Sequence, residues 1–449
     1  MLKRTVTALS LSVATLVVLA GCAGTSDGND AGSPSGEGRT LKVLVSAKAA
    51  YPEEQKAWFA RISDEFEEKT GATVEFSTFA TAEDEQKIIQ TSAIAGTGPD
   101  IFSVGTGMTP TAGSTGAFQL ISEEDWDAIG GRDKFVPGSL GLSGPSEDKE
   151  VAVPFINRPY VMAYNTTMFE AAGITEPPTS WDEFRDVAKQ LTTDDVYGAA
   201  IAYGDQYDPW KFIWTMAASE GNRLVDGEKI NIDDPIVQNA YSSYFGYLTE
   251  DRIVDPASVG WKNAQAVAAF GEGKAAMMMM TTSGSYPTLA ESAVKDDFSY
   301  AVMPVVPPGE TALPSGQDEI AGVLAGDNMM IATYTKNKDL SLEFLELITS
   351  DEEQLFYATT FGEFPTTKTA SSQVEEATPA FAPAVAALKL SVATPYTGAW
   401  GEIQISLGNV VVQSRDDLTK GGVSAATLGE RLADAQATSQ SALDRAKGK

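Results

Sequence analysis

The sequence predicts an α/β fold built on a doubly wound sheet, and three observations carry that expectation. Short β-branched runs alternate with amphipathic helical stretches from Leu41 onward. The chain has 449 residues, 43% of them hydrophobic and 21% charged, which is a globular composition long enough for about two to three domains. A charged start, an apolar run and a cysteine precede the first strand, which places the fold outside the cytoplasm.

Taken in order, Lys3 and Arg4 lead into an apolar run from Val6 to Ala20, shorter than the ~20 residues a spanning helix needs. Residues 1–21 therefore read as a signal peptide. The run ends Leu19-Ala20-Gly21-Cys22 on the one cysteine of the chain. Residues 23–39 carry no aromatic and no aliphatic side chain larger than alanine, so 22–39 reads as a flexible tether. Leu41 to Ser46 is then a strand. A helix opens near Pro52, with Phe59, Ile62 and Phe66 on one face and Gly71 as its stop. Thr73 to Phe76 is a second strand, about Glu83 to Ile94 a second helix, and Asp100 to Val104 a third strand. After Val151 a second α/β region begins. Its helix is announced by the capping box Ser180-Trp181-Asp182-Glu183 with Phe184, Val187 and Leu191 as buried stripe, and another box stands at Ser350-Asp351-Glu352-Glu353.

Composition removes much chemistry. With no histidine and one cysteine, His-based triads, disulfides and zinc sites of His and Cys are excluded. A net charge of −30 repels phosphate backbones, so nucleic acid is not an expected partner. No Gly-rich phosphate loop, G-x-S-x-G elbow or EF-hand spacing occurs, and neither metal nor cofactor is expected. Met277 to Met280 read as a buried strand and not as a soft-metal site. Paired carboxylates for glycoside hydrolysis are the catalytic device left open.

Sheets of this kind bind ligands beyond the carboxyl ends of their strands. That rule singles out Lys48, Phe79 and Gly105-Thr106-Gly107. Tyr51, Trp210, Trp261, Tyr286, Tyr396 and Trp400 lie in or beside segments rich in Gly, Pro, Asn, Asp and Ser. Flat aromatic faces with polar tips suit a sugar ring.

The segments Gly98-Pro99-Asp100, Val153-Pro154-Phe155, Tyr164-Asn165-Thr166-Thr167-Met168-Phe169, Pro178-Thr179-Ser180-Trp181-Asp182-Glu183-Phe184 and Phe270-Gly271-Glu272-Gly273-Lys274-Ala275-Ala276-Met277 stand in this order along the chain. Together they resemble the extracellular solute-binding proteins of ABC importers, in the carbohydrate-uptake branch similar to maltose-binding protein. The end of the apolar run at Cys22 resembles a bacterial lipobox, which implies a lipidated membrane anchor at that thiol.

The resemblance implies a two-lobed periplasmic-binding-protein-like fold with a ligand cleft between lobes and hinge crossings near 153–157, 303–309 and 363–367. Pro154, Pro304 and Pro365 suit extended crossings. Residues 40–153 and 310–362 would form the N-terminal lobe, and 158–303 and 368–449 the C-terminal lobe. It further implies sugar contacts at Gly105, Thr106 and Gly107, at Arg158 beside Asn157, at the triplet Asp208-Pro209-Trp210, at Tyr286 with Ser283 nearby, and at Trp400 with Gln404. Trp261 and Asp327 complete the expected set. Arg158 stands where a carboxylate is common, Tyr286 where Trp is more usual, and Asp327 where a second glycine often follows Gly326. Arg158 would either hold an acidic ligand or neutralise Asp208 or Asp327, and the second reading fits the neutral sugars of the branch.

The expected activity is capture of a sugar or oligosaccharide by a monomer anchored at the outer face of the membrane and its delivery to an ABC permease, with no chemistry performed. The rivals are an organic anion, a phosphorylated polyol or a polyamine in the same fold, and an anchored glycoside-active enzyme.

Overall fold

The structure, a computed structural model, describes residues 36–145, 149–205 and 208–448, and only the backbone of residues 82 and 83. The expected signal peptide, Cys22 and most of the tether lie outside the described residues. Gly36 to Arg39, expected to belong to the tether, are already tied to the fold: Gly36 N–H donates to Thr70 O, and Arg39 forks onto Asp339 at 2.7 Å.

Two sheets organise the chain. The first runs in the order Phe364–Pro365, Val153–Arg158, Ala325–Ile331, Ile101–Gly105, Thr40–Ser46, Thr73–Phe79. Its Thr40–Ser46 strand pairs in parallel with both Thr73–Phe79 and Ile101–Gly105, as the strand–helix alternation predicts, while the strands added later in the chain pair antiparallel. The second sheet runs Phe298–Val302, Tyr160–Asn165, Ala275–Thr282, Tyr197–Ala200. Met277 to Met280 are buried in it.

Helix Pro52–Thr70 starts on its proline and stops at Gly71 in the left-handed conformation. Its buried face is Trp58, Ile62 and Phe66 and not Phe59, which is half-buried and stacks on Phe76 at 4.3 Å. Ser180 and Glu183 close a complete capping box. The second box is half made: Ser350 accepts from Glu353 N–H, but the Glu353 carboxylate is drawn away to Trp58 Nε1 and Arg61.

Residues Val153–Arg158 and Tyr160–Asn165 form one extended run interrupted by Pro159, leaving the first sheet and entering the second. The return does not occur at 303–309. Met303, Val305, Ile320, Ala321 and Val323 still pack in the core of the second lobe, and Gly322–Val323 pairs with Ser391–Val392 there. The chain re-enters the first sheet only at Ala325–Ile331. Proline at 304 marks a loop of the second lobe, because extended, proline-restricted backbone is shared by loops and crossings. The 310–324 stretch assigned to the first lobe thus belongs with the second. At the true return Gly326 has φ 155°, and a Cβ there would lie 1.9 Å from Ile156 O, so only glycine fits. The last passage is at Phe364–Pro365, beyond which Val374 and Phe381 pack with the second sheet. No helix among the described residues is long and apolar enough to cross a membrane.

Candidate ligand-binding cleft

A cavity of about 550 Å³ opens between the two lobes. The first lobe contributes the loop Ser46–Tyr51, beyond the carboxyl end of its first strand, together with Phe361 and Glu363. The second contributes Tyr160, Asp208, Lys211, Asn263 and the end of strand Ala275–Thr282 with Gly284 and Ser285. Tyr51 Oη donates to Gly284 O at 3.1 Å and Ser283 Oγ to Gly362 O at 2.6 Å, so each lobe touches the other at the cavity rim.

Charge at the cavity is compensated in two groups. At the crossing, the Arg158 guanidinium forks onto Asp327 with both bonds at 2.8 Å and donates through Nε to Glu363 at 2.8 Å. Lys48 Nζ donates to the other Glu363 oxygen at 2.5 Å, and Ser46 Oγ adds a bond to Asp327. Burial alone would raise the Asp327 carboxyl, but Arg158 overrides it and holds the group below the usual aspartate value. Arg158 is correspondingly raised despite its burial, while Lys48 is lowered because burial outweighs Glu363. On the opposite wall Lys211 Nζ pairs with Asp208 at 3.1 Å, Asn263 donates to the second Asp208 oxygen at 2.8 Å, and the ammonium sits 4.8 Å from the centre of the Tyr160 ring. Each group sums to zero formal charge, two cations against two anions and one against one.

The structure distributes the expected residues unevenly. Lys48, Tyr51, Arg158 and Asp208 line the cavity, and Asp327 stands behind Arg158. Asn157 is buried and spends its amide on Ser139 and Pro365 O, a structural bond within the crossing. Phe79 is buried in the core of the first lobe, away from the cavity, because the last residue of its strand joins the apolar cluster that also holds Phe102 and Ile89. Ser283 is fully buried, and its neighbours Thr282, Gly284 and Ser285 face the ligand space instead. Tyr286 packs on Phe298, Tyr300 and Phe381 in a satellite core. Trp210 and Trp400 are not loop residues. Trp210 lies in helix Asp208–Ser219 and Trp400 begins helix Trp400–Thr419; both are buried, 5.8 Å apart edge to face.

Gly105, Thr106 and Gly107 do not line the cavity: Gly105 N–H donates to Glu85, Thr106 N–H to Gly326 O, and Gly107 faces Trp400. A Cβ on Gly107 would lie 3.3 Å from Gln404 Oε1 and 3.9 Å from Trp400 Nε1, so the absence of a side chain lets the helix approach. Gln404 Nε2 reaches Met108 Sδ at 3.6 Å, and Thr111 Oγ1 bonds Gly398 O and Gly401 N–H. Trp261 lines a different cavity on the far side of the second lobe. Sequence reasoning missed Lys211, Asn263 and Glu363. Lys211 carried a usable signal, the i,i+3 spacing from Asp208 on one helix.

A cavity between two lobes, joined by crossing strands and bearing no unpaired charged group among the described residues of its walls, fits a receptor that surrounds a small molecule. The chain belongs to the bacterial extracellular solute-binding protein family, whose sequence profile matches residues 49–355. That family comprises binding proteins and not enzymes. The diacetylchitobiose binding protein DasA of Streptomyces coelicolor is 29% identical over 404 residues, covering 87% of this chain and 88% of the relative. Among solved structures, a solute-binding protein of Thermotoga lettingae bound with α-D-tagatose superposes with a TM-score of 0.74 at 20% identity, over 90% of this chain and all of the other. The maltotriose-bound maltotriose binding protein of Thermus thermophilus gives 0.71 at 20%, again over 90% of this chain and all of the other. These likenesses show the two-lobed fold.

Proposed function

We propose that the protein captures a neutral sugar or oligosaccharide in the interlobe cavity and presents it to an ABC permease, while anchored as a monomer to the outer face of the membrane through lipidated Cys22. The observation that carries the reading is the pairing of every charged side chain on the cavity wall: Lys48 and Arg158 with Glu363 and Asp327, Lys211 with Asp208. An organic anion or phosphorylated polyol needs a cation left over, and a polyamine needs carboxylates left over. What remains for a ligand is hydroxyls, an amide and the rings of Tyr51, Tyr160 and Phe361, which match the hydroxyl edges and C–H faces of a sugar. The sugars bound by DasA and by the two solved relatives agree with this class.

The test is a thermal-shift and calorimetric screen of mono- and oligosaccharides on the domain from Gly36 onward. Lys211→Met is expected to weaken the ligand so found at least tenfold, because Asp208 loses its orienting partner. Tight binding of a carboxylated, phosphorylated or polyamine ligand, with sugars silent, overturns the reading. The anchor is tested by Cys22→Ser, expected to release the chain from membranes; unchanged retention and N-terminal mass would remove it.

A further inference from the structure

Trp261 was singled out by the sequence and is not used by the cleft, and its surroundings form a site of their own. We propose that the far end of the second lobe carries a second saccharide site, an open groove centred on Tyr197 and Trp261. Two adjoining cavities of about 460 Å³ each share Tyr197 as a common wall. One holds Trp261, Asp195 and Gln265, and the other runs past Arg252 and Pro256. Together they give an elongated bed and not a single closed pocket, which suits consecutive rings of a chain.

The groove is separate from the cleft. Strand Ala275–Thr282 meets the cleft at Met280, Thr281 and Thr282 and the groove at Ala275, so along the strand the two are about 17 Å apart at ~3.3 Å per residue. Helix Asn263–Gly271 stands between them: Asn263, Ala264 and Val267 face the cleft, whereas Gln265, Ala268 and Ala269 face the groove.

The groove's own chemistry selects a polyol. The Trp261 indole N–H, the Tyr197 hydroxyl and the Asp195 carboxylate make no side-chain hydrogen bond among the described residues, and Trp261 and Tyr197 are only half-buried. They offer two aromatic faces with a donor, an acceptor and a group that is both, which is the complement of a pyranose ring with vicinal hydroxyls. A purely apolar occupant would leave these groups unpaired. The charges do not gather into an ionic site: Glu272 pairs with Lys274 at 2.6 Å, the Asp255 carboxylate accepts Ala257 N–H at 2.8 Å, Asp195 lines one cavity and Arg252 the other, and the lining as a whole sums to a single negative charge.

The experiment is calorimetric titration of the soluble chain with two probes, maltotriose and N,N′-diacetylchitobiose, each carried to millimolar concentration. At least one probe is expected to show a second, weaker phase. Trp261→Ala should remove that phase, and Asp195→Ala, at an exposed position whose only hydrogen bond among the described residues is from its backbone N–H to Thr193 Oγ1 and survives the change, should weaken it several-fold. Lys211→Met should touch the tight phase alone, so failure of the cleft reading and failure of this one are separable. Absence of a second phase with both probes overturns the proposal, as does a second phase that survives Asp195→Ala unchanged; if Trp261→Ala does not fold, Asp195→Ala decides.

Discussion

The two lobes meet along two flanks, and the flanks differ in kind. One, at Ser46–Tyr51, Arg158 and Glu363, encloses a cavity whose charges are all paired. The other, at Gly107–Thr111 against Trp400 and Gln404, is packed shut. The packed flank carries two buried indole N–H groups, those of Trp210 and Trp400, with no hydrogen-bond partner among the described residues. A buried charge without a partner costs far more than a neutral donor without one, so the cavity flank must satisfy every ion while the packed flank tolerates orphaned donors. Polar completeness, more than the presence of tryptophan, distinguishes ligand space from contact surface here.

The largest way to break this comparison is Trp400→Ala. If the flank is core, the substitution costs about 3–5 kcal/mol of stability, as large-to-small changes at buried tryptophans do. Thermal melting should fall sharply, while sugar affinity measured well below the new midpoint changes little. The opposite pattern, intact melting with lost affinity, would make the packed flank part of the ligand site and return Trp400 to the loop-like role its neighbours in sequence suggest.

A smaller effect sharpens the joint between the flanks. Glu85 is buried under Gly105, accepting that residue's N–H at 2.8 Å. Burial, with Asp327 adding to it and Arg158 opposing, pushes its carboxyl from 4.5 up to about 8. A carboxyl raised in the fold is protonated there while the unfolded chain has already ionised it. Its contribution to stability is therefore complete below about pH 4.5 and is lost as pH rises through about 8. Glu85→Gln, which keeps an acceptor for Gly105, should flatten that loss: melting profiles of variant and parent coincide near pH 4.5 and separate in the variant's favour by pH 8 to 9. Parallel profiles across that range would mean that Glu85 is ionised in the fold.

How much of this was legible depends on whether a signal was local. Period and capping are local, so the strands Thr40–Ser46, Thr73–Phe79 and Ile101–Gly105, the two long helices between them and the capping box at Ser180 stood in the sequence. The return crossing was not local: Pro304 looks like Pro154 and Pro365, and only the partner strand of Gly322–Val323, some 70 residues on, keeps 303–324 with the second lobe. The cleft divides the same way. Lys48 follows from strand polarity, Tyr51 from its aromatic face beside a turn-rich segment, and Arg158 and Asp208 from the resemblance, and all four line the cavity. The tryptophans failed because turn-rich neighbours describe the chain before a helix and say nothing of what the helix packs on. Glu363 was invisible, since its meaning lies in two cations 315 and 205 residues away.

The smallest expected effect discriminates which flank holds the lobes together. Tyr51 sits at the cavity rim with its ring edge-on to Phe361 at 5.8 Å and its hydroxyl on Gly284 O of the other lobe. Burial, with Glu363 second, pushes its phenol up to about 12, so it remains a donor at any physiological pH. Tyr51→Phe keeps the ring and deletes only the bridge, a loss of about 1 kcal/mol for a neutral hydrogen bond. Because the bond exists only while the lobes are together, the loss falls on the closed form. Sugar affinity should drop about fivefold, through faster dissociation read by stopped-flow, with the melting temperature of the free protein nearly unchanged. If the packed flank alone set the closure, the same variant would bind and release its ligand at the parent's rates, and the bridge at the rim would be incidental to holding the sugar.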